Sequence, residues 1–171
     1  LTLYREGDPL PGKALEDALK WADLVLAGPG IGTSSTARDL VSRLLRDSSV
    51  PVVLDADALN LIAQEPVLLK QAKIPTAVTP HLGEMARLTG KSISALKENL
   101  PAAAADFAES FHTVCVLKDA RTVVASPEGA VFINSSGCSA LATAGSGDVL
   151  AGILASLLVQ QKNSGSPRPM E

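Results

Sequence analysis

The stretch of this sequence best suited to chemistry is Ala142-Thr143-Ala144-Gly145-Ser146-Gly147-Asp148. Its two glycines let backbone N–H groups converge, and the apolar run that follows starts a helix whose positive end faces the same spot. Gly145, Ser146 and Gly147 therefore form a candidate anion cradle for a phosphate or a developing oxyanion. Asp148, at its mouth, is placed to orient a hydroxyl or take its proton. Asp also caps helices well, so both roles stay open.

Four other stretches carry suitable groups. Lys118-Asp119-Ala120-Arg121-Thr122 follows the apolar run Val114 to Leu117 and offers a cation, a hydroxyl and turn amides to nucleotide phosphate or ribose. A solvated charged turn is the plain alternative. In Thr79-Pro80-His81-Leu82-Gly83-Glu84, His81 could contact substrate and Glu84 could hold a Mg²⁺ shell through water. Equally, Glu84 could complement a helix dipole beside a surface histidine. Asp55 and Asp57 follow another buried run; Asp57 reads as a helix cap, and Asp55 as a carboxylate facing the cleft. Gly28-Pro29-Gly30-Ile31-Gly32 would let a ligand approach the backbone closely. It is not the dinucleotide fingerprint, and no Walker-type P-loop occurs.

These stretches need elements to position them. Short apolar runs at Asp23–Ala27, Val50–Leu54, Ile74–Val78 and Val114–Leu117 read as strands, each ending at one of the motifs. Between them the spacing predicts a helix from Ser34 or Ser35 to Arg46, a short helix broken near Pro66, a helical turn over Glu84–Leu88 closed by Gly90, and a helix over Ala102–Phe111. Thr122–Ala125 and Ala130–Ile133 flank Ser126-Pro127-Glu128-Gly129 as a hairpin, and a last helix runs to about Gln160. Alternating strands and helices imply a parallel sheet, with ligands beyond the carboxyl ends of its strands.

The 171 residues suffice for one domain. Apolar residues make up 46% but aromatics only 3%, so the core must be Ala, Val, Leu and Ile. A net charge of −3 with no basic run argues against a nucleic-acid partner. The longest largely apolar stretch, Val149 to Val159, has 11 residues, short of the roughly 20 a membrane helix needs. Cys115 reads as a small core residue, and two cysteines without ligand spacing fit a reducing, cytoplasmic compartment. The chain opens at Leu1 rather than Met and reads as a fragment or a processed stretch: a partial domain over 1–161 and a flexible tail over 162–171.

Taken in this order, Gly28 to Gly32, Leu54 to Leu59, Thr79 to Leu88, Leu117 to Val123 and Thr143 to Gly152 resemble the ADP-dependent NAD(P)H-hydrate dehydratases of the ribokinase-like superfamily. The specific combination is Thr-Pro-His-x-Gly-Glu-Met-Ala-Arg-Leu with Ala-Thr-Ala-Gly-Ser-Gly-Asp-Val-Leu-Ala-Gly. The resemblance implies a three-layer α/β/α ribokinase-like fold with a mostly parallel sheet and a hairpin near the nucleotide. It implies a carbon–oxygen lyase that uses ADP and Mg²⁺ to phosphorylate the ring hydroxyl of hydrated NADH or NADPH, after which phosphate leaves. On that pattern Asp148 is the catalytic base and a substrate contact, Gly32 and His81 are substrate contacts, and Gly147 with Lys118, Asp119, Ala120, Arg121 and Thr122 binds the adenine nucleotide. Glu84 takes the place of a magnesium-associated glutamate. A homo-oligomer and an epimerase domain in the parent chain are also implied. Leu82 and Asp119 depart from the pattern, which usually has Pro and often has Gly there. Two alternatives are a kinase of hydroxymethylpyrimidine or a thiazole alcohol, and a nucleotide-binding fragment without catalysis.

Overall fold

The structure, a computed structural model, describes residues 12–163. In chain order the elements are α1 (Gly12–Trp21), β1 (Val25–Ala27), α2 (Ser35–Asp47), β2 (Val52–Leu54) and α3 (Asp57–Ile62). A 3₁₀ helix over Pro66–Gln71 leads into β3 (Thr76–Val78), α4 (Leu82–Thr89), α5 (Ile93–Glu98), α6 (Leu100–Phe111) and β4 (Val114–Leu117). Then come β5 (Val123–Ala125), β6 (Val131–Ile133), a 3₁₀ turn over Ser139–Leu141, and α7 (Ser146–Asn163).

The six strands form one sheet in sequential order. β1 to β4 run parallel, and β5 and β6 follow antiparallel. With the order sequential, right-handed crossovers place the connecting helices α2 to α6 on one face. Side chains alternate across a strand, and the alternation is visible in the packing. Val52, Leu54, Val78, Cys115, Leu117, Val123 and Ala125 join Leu40, Leu44, Leu59, Ile62, Met85, Leu96 and Phe107 in one buried cluster. The other set, with Ala77, Val116 and Val124, faces Leu150, Leu154 and Leu158 of α7 across an apolar cavity of about 360 Å³. The mixed α/β fold with a mostly parallel sheet and a terminal hairpin is the one expected.

Local chemistry accounts for the element ends. Ser34 caps α2 by accepting the Ala37 N–H, and Asn99 caps α6 by accepting that of Ala102. Gly90 closes α4 at φ +68°, where a side chain would be strained. The Ser126–Gly129 turn joins β5 to β6 as expected, with the Gly129 N–H donating to the Ser126 carbonyl. Two helices, α1 and α5, add to the expected set. α7 reaches Asn163, two residues into the expected tail; the rest of that tail, 164–171, lies outside the described residues. No helix among the described residues is long and apolar enough to cross a membrane.

Candidate functional site

The carboxyl ends of β1 to β4 are tied to one another by a ladder of backbone bonds. Asp55 N–H donates to the Ala27 carbonyl, Thr79 N–H to that of Leu54, and Lys118 N–H to that of Pro80 at 2.7 Å. His81 and Lys118 therefore leave adjacent strands side by side, as an isolated parallel bridge. Gly28 belongs to this ladder for a steric reason: a Cβ added there would stand 1.7 Å from the Asp55 carbonyl oxygen. A neighbouring strand end therefore fills the space beside Gly28, whereas Gly30 of the same loop has open space beside it.

Asp57 also departs from expectation. It is the first residue of α3 and not its cap; the cap position is Ala56, at φ 48° and with no side-chain bond. The Asp57 carboxylate instead accepts the Gly32 N–H at 3.0 Å, pinning the glycine loop after β1 to the start of α3. The Gly32 N–H is therefore committed within the protein.

His81 caps α4. Its Nδ1 accepts the N–H groups of Gly83 (2.9 Å) and Glu84 (3.3 Å), while Glu84 Oε2 accepts the His81 N–H at 2.8 Å. This reciprocal pair is a capping box with histidine in the usual place of Ser or Thr. Gly83 leaves room for it, since a Cβ there would meet the His81 ring carbon at 2.8 Å. With Nδ1 accepting, the neutral ring carries its proton on Nε2, which lies 3.5 Å from Glu84 Oε1. The imidazole is half-exposed beside Lys118, and the Glu84 carboxylate is buried.

Lys118 supplies the cation. Its Nζ donates to Asp55 Oδ1 at 2.8 Å, with the lysine side chain 19% exposed and the aspartate 2%. The same ammonium meets the start of α7: a Cβ added to Gly147 would lie 3.6 Å from Nζ. Gly145 takes φ +82°, in open space. Ser146 and Gly147 begin α7, and Asp148, in its first turn, is exposed, its carboxylate accepting no hydrogen bond among the described residues. The Lys118 ammonium and Gly147 of the candidate anion cradle are thus neighbours. The helix N-terminus and the ammonium lie side by side there, with Asp55 paired to the ammonium and the Asp148 carboxylate in the first turn of the helix. Asp119, Ala120 and Arg121 are exposed on the turn between β4 and β5, while Thr122 points into the cavity under α7. Among the described residues no group of three or more His, Cys, Asp or Glu side chains converges as a metal cage.

The family described as NAD(P)H-hydrate dehydratase matches this sequence over residues 5–168. The chain belongs to the NAD(P)H-hydrate dehydratase family. Within it, the bifunctional NAD(P)H-hydrate repair enzyme of Moorella thermoacetica is 44% identical over 146 residues, 85% of this chain and 28% of that protein. The ADP/ATP-dependent NAD(P)H-hydrate dehydratase of Bacillus subtilis, crystallised with ATP and Mg²⁺, is 33% identical at a TM-score of 0.70, covering 80% of this chain and 47% of that one. A ribokinase-like superfamily protein of Enterococcus faecalis superposes at a TM-score of 0.75 with 30% identity, covering 87% and 51%. This NAD(P)H-hydrate dehydratase family member spans between about a quarter and about half the length of those relatives.

Sequence reasoning reads Asp55 as a carboxylate facing the cleft, whereas it is buried and paired with Lys118, and it misses the work of Asp57. The partner of Asp55 is 63 residues away and that of Asp57 25, so neither interaction leaves a local signature. The His81 capping box does leave one, a glutamate three residues after the cap.

Proposed function

We propose that this chain carries the ADP-dependent dehydration site for hydrated NADH or NADPH. The observation that carries this reading is the Lys118 ammonium beside Gly147, at the start of α7 and next to the exposed residue Asp148. Lys118 and the amides of Gly145 to Gly147 would hold the phosphates of ADP, with Asp119 to Thr122 along the nucleotide. Asp148 would take the proton of the ring hydroxyl as its oxygen attacks the terminal phosphorus and the bond to AMP breaks. Phosphate then leaves with the C–O electron pair while the neighbouring ring carbon gives up a proton, restoring the dihydronicotinamide. Phosphorylation matters because hydroxide is a poor leaving group and phosphate a good one. His81 and Gly32 would line the substrate side.

Mg²⁺, which favours substrate phosphates and water over dedicated protein cages, would neutralise charge on the transferring group. The fit is to an indirect role: Glu84 Oε2 already accepts the His81 N–H, so its carboxylate would act through water. The names of the relatives support ADP or ATP as donor, and the lyase class follows from the dehydration itself. The wider reading adds a homo-oligomer, a cytoplasmic setting and an epimerase activity in the same parent chain, the last supported by the bifunctional relatives.

The test is direct. NADH hydrate and ADP are incubated with the protein, and absorbance is followed at the reduced-nicotinamide wavelength. ADP-dependent recovery is expected, and Asp148→Ala should lower its rate by roughly 10²–10⁴-fold while ADP binding persists. Unchanged recovery in that variant would remove Asp148 from the mechanism. No recovery, with ADP or ATP consumed on hydroxymethylpyrimidine or a thiazole alcohol, would assign the site to a small-molecule kinase instead.

A further inference from the structure

Asp55 carries a buried charge that the reaction above does not use. It follows β2, and its Oδ1 accepts Lys118 Nζ at 2.8 Å. β3 lies between the strands that bear these two residues, so the lysine stem spans the end of β3 to reach it. The Asp55 backbone is equally fixed, donating to the Ala27 carbonyl and packed so close to Gly28 that no Cβ fits there. A carboxylate held this rigidly selects one arrangement of a side chain that is otherwise among the most mobile. That arrangement sets the ammonium next to Gly147. An ammonium has three donors, and among the described residues Asp55 is the sole hydrogen-bond partner of Nζ, so two donors remain for a ligand. Stability alone is a poor reason for such a pair, because well-packed apolar residues commonly serve as well or better in a buried position.

We propose that Asp55 is a positioning residue: by holding Lys118 Nζ against the Gly145–Gly147 loop, it fixes where the phosphates of the nucleotide sit. This rests on the reading of the site given above, and takes from it only that a nucleoside diphosphate binds here. Asp55, at 1% exposure, acts through Lys118 and does not touch the ligand.

The experiment is a double-mutant cycle on ADP binding by calorimetry, with adenosine as the reference ligand that lacks phosphate. Asp55→Asn should weaken ADP by about 10-fold, within the range for coupled neighbours, and leave adenosine within about twofold. Against a Lys118→Ala background, Asp55→Asn should have no further effect on ADP. Parallel losses for ADP and adenosine, or an ADP loss that persists without Lys118, would mean that Asp55 serves the fold alone and would overturn the proposal. If Asp55→Asn does not fold, Asp55→Glu carries the test, since it keeps the charge and moves it by one methylene. Reduced ADP affinity with unchanged adenosine affinity supports positioning, and wild-type ADP affinity in that variant refutes it. A wild-type chain with no affinity for ADP refutes it too. ADP binding without recovery of dihydronicotinamide sinks the dehydratase reading alone.

Discussion

The two faces of the sheet are packed to different standards. Under α2 to α6, Val52, Leu54, Val78, Cys115 and Leu117 are fully buried in a continuous cluster. Under α7, Val116 and Val124 look into a cavity of about 360 Å³. α7 also turns Val149, Ile153 and Leu157 outward, and Phe132 on β6 is 68% exposed. The site straddles this divide. Lys118, Asp55, His81 and Asp57 stand on strand ends or helix starts anchored by the dense face, whereas Gly145 to Asp148 belong to the helix over the loose one. One half of the proposed anion site is therefore anchored by dense packing, and the other half rests on the sparsely packed α7. Elements with sparse buried packing are those that open at low free-energy cost.

Matched truncations give the largest contrast. Leu54→Ala removes a side chain with no exposure from the dense face and should cost about 2–5 kcal/mol in denaturant unfolding. Leu154→Ala removes one that already borders empty space, so less dispersion attraction is forfeited and the cost should be below about 2 kcal/mol. Equal costs would show that the cavity closes in solution and would end the comparison.

The same divide separates what is legible in the sequence from what is not. The dense face is readable because each buried strand is an apolar run that stops at turn-forming or charged residues, as at Val78-Thr79-Pro80, and because Ser34 and Gly90 mark helix ends chemically. The hairpin is readable from Pro127 and Gly129 between two β-branched runs. α1 offers only a faint signal, Leu15 and Leu19 one turn apart, although both do pack on the core. α5 has only six residues and one buried side chain, Leu96, too little for a periodic pattern. The motifs of the site are visible as residue types beyond strand ends, but their wiring is not. The bond from Lys118 to Asp55 and that from Gly32 to Asp57 join residues far apart in the chain, and sheet order decides them.

A smaller effect comes from adding volume. Val78→Ile inserts a methylene where no space remains and should cost about 1–3 kcal/mol. Val116→Ile inserts one toward the cavity and should be neutral or stabilising by up to about 1 kcal/mol, as cavity-filling changes often are. A stabilised Val116→Ile that also slowed turnover would show that α7 must move during the reaction. Unchanged turnover would make the looseness incidental to the chemistry.

The finest probe is already in the chain, because the two cysteines sample the extremes. Cys115 lies in the dense face and Cys138 is exposed in the loop before α7. Burial pushes the Cys115 thiol up from 9.0 to about 12, since a thiolate there would lose its hydration. A thiol reagent should therefore label Cys138 in the native protein and Cys115 only after unfolding. The same shift links stability to pH. Below an ordinary thiol pKa both states keep the proton and the full contribution of Cys115 is present. Above it the unfolded chain ionises first, so stability falls until the pH reaches the folded value of about 12. At pH 10 the loss should be about 1 kcal/mol relative to pH 8. A Cys115→Ala variant should lack that increment, so the cost of the substitution shrinks as pH rises between those values. A cost that stays constant with pH, or native labelling of Cys115, would show that water reaches β4 and that the dense face opens as readily as the face beneath α7.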